Sequence, residues 1–109
     1  MADLFQKMLE KELGQMVVTE HKFDQSRRWR FDYAIPKYMI AIEIEGGAHT
    51  QGRHTRGVGF INDMEKYNRA IELGWTLLRY TPDQRLKLST IEQIRAVLRN
   101  RKNEALCKS

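Results

Sequence analysis

Apolar residues near the start of this 109-residue chain recur with the period of an α-helix. These residues are Leu4, Phe5, Met8, Leu9 and Leu13. Residues spaced three to four apart fall on one face of a helix. Asp3 is suited to cap the beginning of such a helix, and Gly14 is suited to end it. The pattern therefore predicts a first helix with one buried face.

Three stretches rich in β-branched and aromatic residues follow, at residues 16–23, 29–35 and 38–45. Turn-forming residues separate them, at 24–26 and at Pro36-Lys37. No helical pattern interrupts the series. The sequence therefore predicts an antiparallel meander of three strands.

A glycine-rich stretch at 46–59 holds five of the seven glycines and is predicted to be a long loop, a kind of segment that is often functional. The remaining predicted elements are a helix from Asn62 or Asp63 to Gly74, a strand at 75–80 and a helix at 89–101. The order αβββαβα predicts an α/β fold, with a four-stranded mixed sheet flanked by helices. The length favours a single domain over residues 1–109.

The composition argues against several classes of protein. Hydrophobic residues make up 41% and charged residues 30%, which is typical of a globular domain. The longest mostly apolar run, at 39–42, is far shorter than the roughly 20 residues of a membrane span, so we expect no membrane partner. Cys107 is the single cysteine, and the N-terminus carries acids and amides where a secretory signal would be basic and then apolar. We therefore expect a cytoplasmic protein.

Basic residues outnumber acidic ones by 19 to 14. Residues 85–109 contain seven bases and two acids, so a basic C-terminal helix and tail hold the whole excess. Together with the cluster at 27–30, this distribution indicates a polyanionic partner, most commonly a nucleic acid. The alternative is that the surplus charge serves only solubility.

Three acids are expected to meet in the predicted sheet. Because side chains alternate along a strand, Glu43 and Glu45 share one face while the isoleucines of that strand take the other. Pairing about Pro36-Lys37 brings Asp32 close to Glu43. The alternative is that the two glutamates form the solvent face of an amphipathic strand, paired with lysines.

Gathered carboxylates need a compensating cation. The oxygen donors of Asp32 and Glu43, with Glu45 and the carbonyl of Ile44 as further members, suit Mg²⁺ or Mn²⁺ rather than zinc. Such an ion would bind a phosphate oxygen and activate a water molecule as a nucleophile. Such a metal site would suit hydrolysis of a phosphodiester bond.

An aspartate in the second strand and an acid pair in the third, on a βββαβ framework, resemble the PD-(D/E)XK nuclease superfamily. The chain is more closely similar to small phage-type endonucleases related to the very-short-patch repair endonucleases. The stretches that carry this likeness are 27–32, 42–47, His49, 52–57, 63–66 and 74–80. The resemblance covers residues 20–80. It implies a restriction-endonuclease-like core, Mg²⁺-dependent DNA cleavage and, for a phage-encoded protein, the host cytoplasm.

The chain departs from the superfamily pattern at one position. Glu45 stands where the superfamily's E-x-K motif has its lysine. The resemblance implies that a lysine of the following helix can replace it, and Lys66 is the candidate, although it could instead pair with Asp63 on the surface. A neutral His49 is a second candidate, as a general base or to hold the leaving group. Further acids that could add a metal ligand are Glu10, Glu12 and Glu20.

Two basic clusters flank the predicted metal site. Their members, expected to bind DNA phosphates, are Arg27, Arg28, Arg30, Arg53, His54 and Arg56. Trp29 is expected in the core rather than as a base-stacking platform. No groove-reading motif is present, so we expect recognition of the DNA backbone or of DNA structure. Two further hypotheses are a homodimeric resolvase of Holliday junctions or other branched DNA, and an inactive nucleic-acid-binding module.

Overall fold

The computed structural model describes residues 3–45 and 53–108. Its helices and strands are α1 (Leu4–Leu13), β1 (Val18–Lys22), β2 (Arg30–Ile35), β3 (Ile40–Ile44), α2 (Arg53–Glu72), β4 (Thr76–Tyr80) and α3 (Leu88–Lys108). Within these residues, the predicted order αβββαβα is confirmed. None of the described helices is long and apolar enough to cross a membrane.

Both ends of α1 follow the sequence prediction. The Asp3 carboxylate accepts the backbone N–H of Gln6 at 3.1 Å, and Gly14 ends the helix in the left-handed conformation at φ 65°. Only glycine adopts that conformation without steric cost. Local sequence therefore sets the length of this helix.

The sheet has the strand order β1-β2-β3-β4. The first three strands pair antiparallel, as predicted, and β4 pairs parallel with β3. Ile35 lies opposite Ile40, because the connection at Pro36–Tyr38 is a short 3₁₀-helix rather than the predicted tight turn. The sheet is therefore mixed.

Helices cover both faces of this sheet. One face packs against α1 and α3 through buried side chains such as Leu9, Ile42 and Ile94. The other face packs against α2 through a smaller cluster that includes Ala41 and Ala70. We call these the α1/α3 face and the α2 face. Since side chains alternate along β3, Glu43 belongs to the α2 face.

The hairpin of β1 and β2 bends at Asp32. Tyr33 packs on the α1/α3 face, and strict alternation would place Phe31 beside it, yet Phe31 is buried on the α2 face against Trp75. On β1, Glu20 has a φ of 51°, which a non-glycine residue rarely adopts. Beyond this bend the hairpin turns across the α2 face.

Two predicted boundaries are wrong. α2 begins at Arg53, so residues 53–59 of the predicted loop are helical. The glycines there disfavour helix by about 1 kcal/mol each, but a helix already nucleated by the following residues propagates at little cost. α3 continues to Lys108 instead of ending near 101, because the tail contains good helix formers and neither glycine nor proline.

Candidate active site

Where β2 and β3 separate, carboxylate side chains replace the backbone hydrogen bonds between the two strands. The last paired residues are Tyr33 and Ile42. Beyond them, the N–H of Asp32 donates to Oε2 of Glu43 at 2.6 Å, and the N–H of Ile44 donates to Oδ2 of Asp32 at 2.8 Å. These two bonds satisfy backbone groups that the bend of β2 would leave unpaired. The side chains of Asp32 and Glu43 are thereby fixed against each other.

Glu43 is buried beneath α2, with 4% of its surface exposed. Its Oε1 accepts from Nζ of Lys66 at 2.6 Å and from the hydroxyl of Tyr67 at 3.2 Å. Burial raises the pKa of Glu43, and the bonds from Lys66 and the Asp32 N–H oppose that shift. Glu43 is therefore not a solvent-facing residue of an amphipathic strand.

Glu45 lies nearer the surface and completes the group. Its Oε2 accepts from the Tyr67 hydroxyl at 3.1 Å and from Nε of Arg79 at 2.7 Å. The Arg79 guanidinium also lies over the Tyr67 ring, 4.5 Å from its centroid. Tyr67 therefore joins the two glutamates, with its single hydrogen shared between them.

Lys66 reaches the acids from the middle of α2. The sequence places it one turn into a helix that begins near Asp63, whereas the observed helix begins ten residues earlier at Arg53. Its ammonium contacts Glu43 and its side chain is only 15% exposed, so Lys66 is not merely half of a surface pair with Asp63. Lys66 therefore lies at the acids, as predicted, and its catalytic role stays a prediction.

The group holds three carboxylates (Asp32, Glu43, Glu45) and two cations (Lys66, Arg79), which leaves one negative charge when all are ionised. No group of three or more His, Cys, Asp or Glu side chains in the described parts of the chain is arranged to hold a metal ion. Both oxygens of Glu43 already accept hydrogen bonds. The arrangement is thus a cross-linked cluster of ion pairs beside the end of a bent strand.

The other predicted acids lie elsewhere. Glu10 accepts the backbone N–H of Val17 at 3.0 Å, and Glu12 pairs with Arg95 at 3.0 Å, both on the helix across the sheet from Glu43. Glu20 is exposed on β1. None of these three side chains joins the described cluster.

The predicted DNA-binding residues divide into two groups. Arg27, Arg28 and Arg30 are exposed, and they lie just before or at the beginning of β2, which carries Asp32. Trp29 is half-buried rather than a core residue, with the Arg27 guanidinium 3.8 Å from its ring centroid. The second group lies in α2, but its side chains, and also the whole of His49, lie outside the described residues; its members are Arg53, His54 and Arg56.

Sequence reasoning missed Tyr67 and Arg79. Tyr67 fits the apolar stripe of its helix, so nothing in the pattern separates it from a core residue. Arg79 gives a signal, because it is the one charge in an otherwise apolar strand. A charge in an apolar strand indicates a partner of opposite sign.

No protein-family model matches this chain, and neither a curated protein nor a solved structure matches it. The predicted resemblance to nucleases therefore rests on the sequence motifs.

Proposed function

We propose that this chain is a metal-dependent endodeoxyribonuclease with a restriction-endonuclease-like core. One observation carries the proposal: Asp32 and Glu43 are locked together where two strands separate, with the Lys66 ammonium 2.6 Å from Glu43. Burying a carboxylate is costly, and a buried ion pair seldom stabilises a fold more than apolar packing would. Such clusters are enriched at functional sites.

The donor set suits Mg²⁺ or Mn²⁺. These ions prefer oxygen ligands, and Mg²⁺ is usually held by one or two carboxylates together with water and substrate phosphate. A preformed cage of three side chains is therefore not required, and Asp32, Glu43 and the carbonyl of Ile44 would hold the ion. When bound, it would supply charge neutralisation at the phosphate and a more acidic water molecule.

Other residues of this chain would position the acids and supply positive charge. The Ile44 N–H fixes the carboxylate of Asp32, and Tyr67 holds the two glutamates in position. Lys66 supplies a charge that can orient the attacking water and stabilise the transition state. In the superfamily, the lysine of the E-x-K motif has this role. Here a lysine of α2 would take that role.

DNA binding is assigned first to the arginines near β2. Arg27, Arg28 and Arg30 are exposed beside the strand that carries Asp32 and can contact phosphates. On α3, by contrast, Arg101 donates to the carbonyl oxygens of Tyr38 and Gly74, so it serves the fold. A homodimer and a cytoplasmic location remain predictions from the sequence.

The test is nicking of supercoiled plasmid DNA in Mg²⁺ or Mn²⁺, with EDTA as the metal-free arm. We expect nicking by the parent protein and none by Asp32→Asn, which keeps an acceptor for the Ile44 N–H but removes the charge. The matched control is Asp83→Asn, at an exposed acid of the 3₁₀-helix Pro82–Gln84. It should cleave like the parent protein.

Three outcomes separate the alternatives. Full activity of Asp32→Asn would contradict the site. DNA binding without nicking of plasmid, linear duplex or four-way junction in either metal would indicate a binding module. Preferential cutting of the four-way junction would indicate a resolvase.

A further inference from the structure

A cleft borders the same helix as the candidate active site. It lies between residues 24–29 at the tip of the bent hairpin and four side chains of α2, and it has a volume of about 610 Å³. The four α2 residues are Glu65, Asn68, Arg69 and Glu72. We call it the Trp29 cleft. Glu65 and Asn68 flank Lys66 and Tyr67 in sequence, so the cleft and the acid cluster share one stretch of α2.

The aromatic wall of the Trp29 cleft is anchored in the core. Trp29 is stacked on Phe23 at 6.3 Å, with their rings inclined by 14°. Phe23 is stacked in turn on the buried Phe31 at 4.0 Å, and Phe31 meets the edge of Trp75 at 4.9 Å. This column supports the half-buried Trp29 ring from the core side. A ring ordered in advance loses little conformational entropy when it binds a ligand.

Trp29 is covered by a movable partner. The guanidinium of Arg27 lies 3.8 Å from the ring centroid, and the Arg27 side chain is exposed. An exposed cation–π contact is weak, and base–aromatic stacking is stronger. A nucleobase can therefore take the place of the guanidinium, which is then available to a phosphate.

We infer that the Trp29 cleft binds an unstacked nucleobase of the DNA substrate, which makes single-stranded, gapped or flapped DNA the preferred substrate class. The inference rests on the proposed function for the identity of the ligand. Trp29 would stack on the base, and Asn68, whose amide both donates and accepts, can bond its edge. Trp29 is three residues from Asp32 in sequence, so the chain between them spans at most about 10 Å.

The charges of the walls favour a base over a phosphate inside the cleft. Three carboxylates (Asp24, Glu65, Glu72) and two guanidinium groups (Arg27, Arg69) line the cleft, and Arg69 is already bonded to Asp24 and Glu72. The excess of carboxylates disfavours a phosphate inside the cleft. Carboxylate oxygens can nevertheless accept hydrogen bonds from a base amino group. The exposed Arg28 and Arg30 are neighbours of Trp29 in sequence and can hold the backbone while the base enters.

The test compares DNA with and without bases, in EDTA so that no cleavage is needed. Fluorescence anisotropy gives the Kd for a labelled oligothymidylate and for an abasic strand of the same length and charge. The variants are Trp29→Leu, which removes stacking, and Trp29→Phe, which keeps it. The matched control is Tyr38→Leu, at a half-buried aromatic residue that also lies beside lysine side chains.

We expect the parent protein to bind oligothymidylate more tightly than the abasic strand. Trp29→Leu should weaken binding of oligothymidylate by about 5- to 100-fold and leave the abasic strand unchanged. Trp29→Phe and Tyr38→Leu should stay close to the parent on both strands. Circular dichroism establishes that each variant is folded.

Equal weakening of both strands by Trp29→Leu would overturn the inference, as would no weakening of either. Equal affinity of the parent for the two strands, or no binding, would overturn it without any variant. Base-dependent binding that requires Trp29, in a protein that does not nick plasmid, would contradict the nuclease alone. Nicking with an affinity that is independent of Trp29 would contradict the cleft alone.

Discussion

The two faces of the sheet are built on different principles. Among the described residues, twelve buried side chains form the cluster on the α1/α3 face, whereas five form the cluster on the α2 face. The α2 face instead contains the buried Glu43 and its partners. Apolar burial is the main favourable term in folding. The α1/α3 face therefore supplies most of the stability, and the α2 face has room for polar chemistry.

The two tyrosines that bond to acids show the same contrast. Tyr33 on the α1/α3 face donates to one carboxylate, that of Asp3, at 2.6 Å. Tyr67 on the α2 face stands between two carboxylates that approach each other. One contact fixes the start of a helix, and the other holds like charges together. Arrangements of the second kind are enriched at functional sites.

The largest effect should come from removing the Lys66 ammonium. Lys66→Met should lower the nicking rate by about 100-fold or more, in the range known for the loss of one preorganised group. The matched control is Lys11→Met, at an exposed lysine of α1, which should cleave normally. Nearly full activity of Lys66→Met, with loss in His49→Ala, would assign the role to the histidine.

The same variant should also lose stability in a pH-dependent way. Removing one partner of a buried ion pair costs about 3 kcal/mol. Burial raises the pKa of Glu43, so the folded state takes up a proton at higher pH than the unfolded state does. The loss should be largest at neutral pH and shrink as the pH falls and Glu43 is neutralised. Urea midpoints across pH measure this, and a loss that grows toward acid would contradict it.

The next effect concerns the apolar face. Ile94 is fully buried, so Ile94→Ala should destabilise the protein by about 2–5 kcal/mol in urea unfolding. Nicking per folded molecule should not change. Leu88→Ala, at a residue 70% exposed on the same helix, should stay within about 0.5 kcal/mol of the parent. A selective loss of activity in Ile94→Ala would show that the two faces are coupled.

Removing the two hydroxyl groups compares the faces directly. Tyr33→Phe and Tyr67→Phe should each cost about 1 kcal/mol of stability. Only Tyr67→Phe should slow nicking, by about 10- to 100-fold, because the Tyr67 hydroxyl positions the acids. Equal rates for the two variants would remove Tyr67 from the site. In the parent, burial and the bond to Asp3 raise the pKa of Tyr33 to about 12.

The last effect concerns the contact that holds the hairpin tip against α2. The bond from Arg69 and two bonds from Ser26 lower the pKa of Asp24 to about 2. A lowered carboxyl pKa adds stability above the ordinary value of 3.8, and this stability is lost as the pH falls toward 2. Asp24→Asn should therefore be less stable than the parent at neutral pH and approach it in acid.

Thermal midpoints recorded from neutral pH to acid measure this convergence. Asp83→Asn, at an exposed acid, is the control and should follow the parent throughout. A gap that stays constant with pH would show that Asp24 does not act through its charge.

The sequence predicted the elements whose signals are local. The cap at Asp3, the stop at Gly14 and the pairing of the first three strands are confirmed, because each depends on neighbouring residues. The predicted beginning of α2 is wrong, because the glycines indicated a loop where the structure has a helix. The meeting of Asp32 with Glu43 could be predicted from register alone.

Tertiary structure decided which acids are buried and what neutralises them. Period-two alternation placed Glu43 opposite the isoleucines but could not show whether that face meets water or a helix. α2 covers it, and so brings Lys66 and Tyr67 to a strand more than twenty residues away in sequence. The hydrophobic pattern does not show the bend at Asp32 either, because the bend depends on the contact between Phe31 and Trp75. Local sequence fixes helices and strands through backbone preferences, whereas the site depends on contacts between distant elements, which form only when the chain is packed.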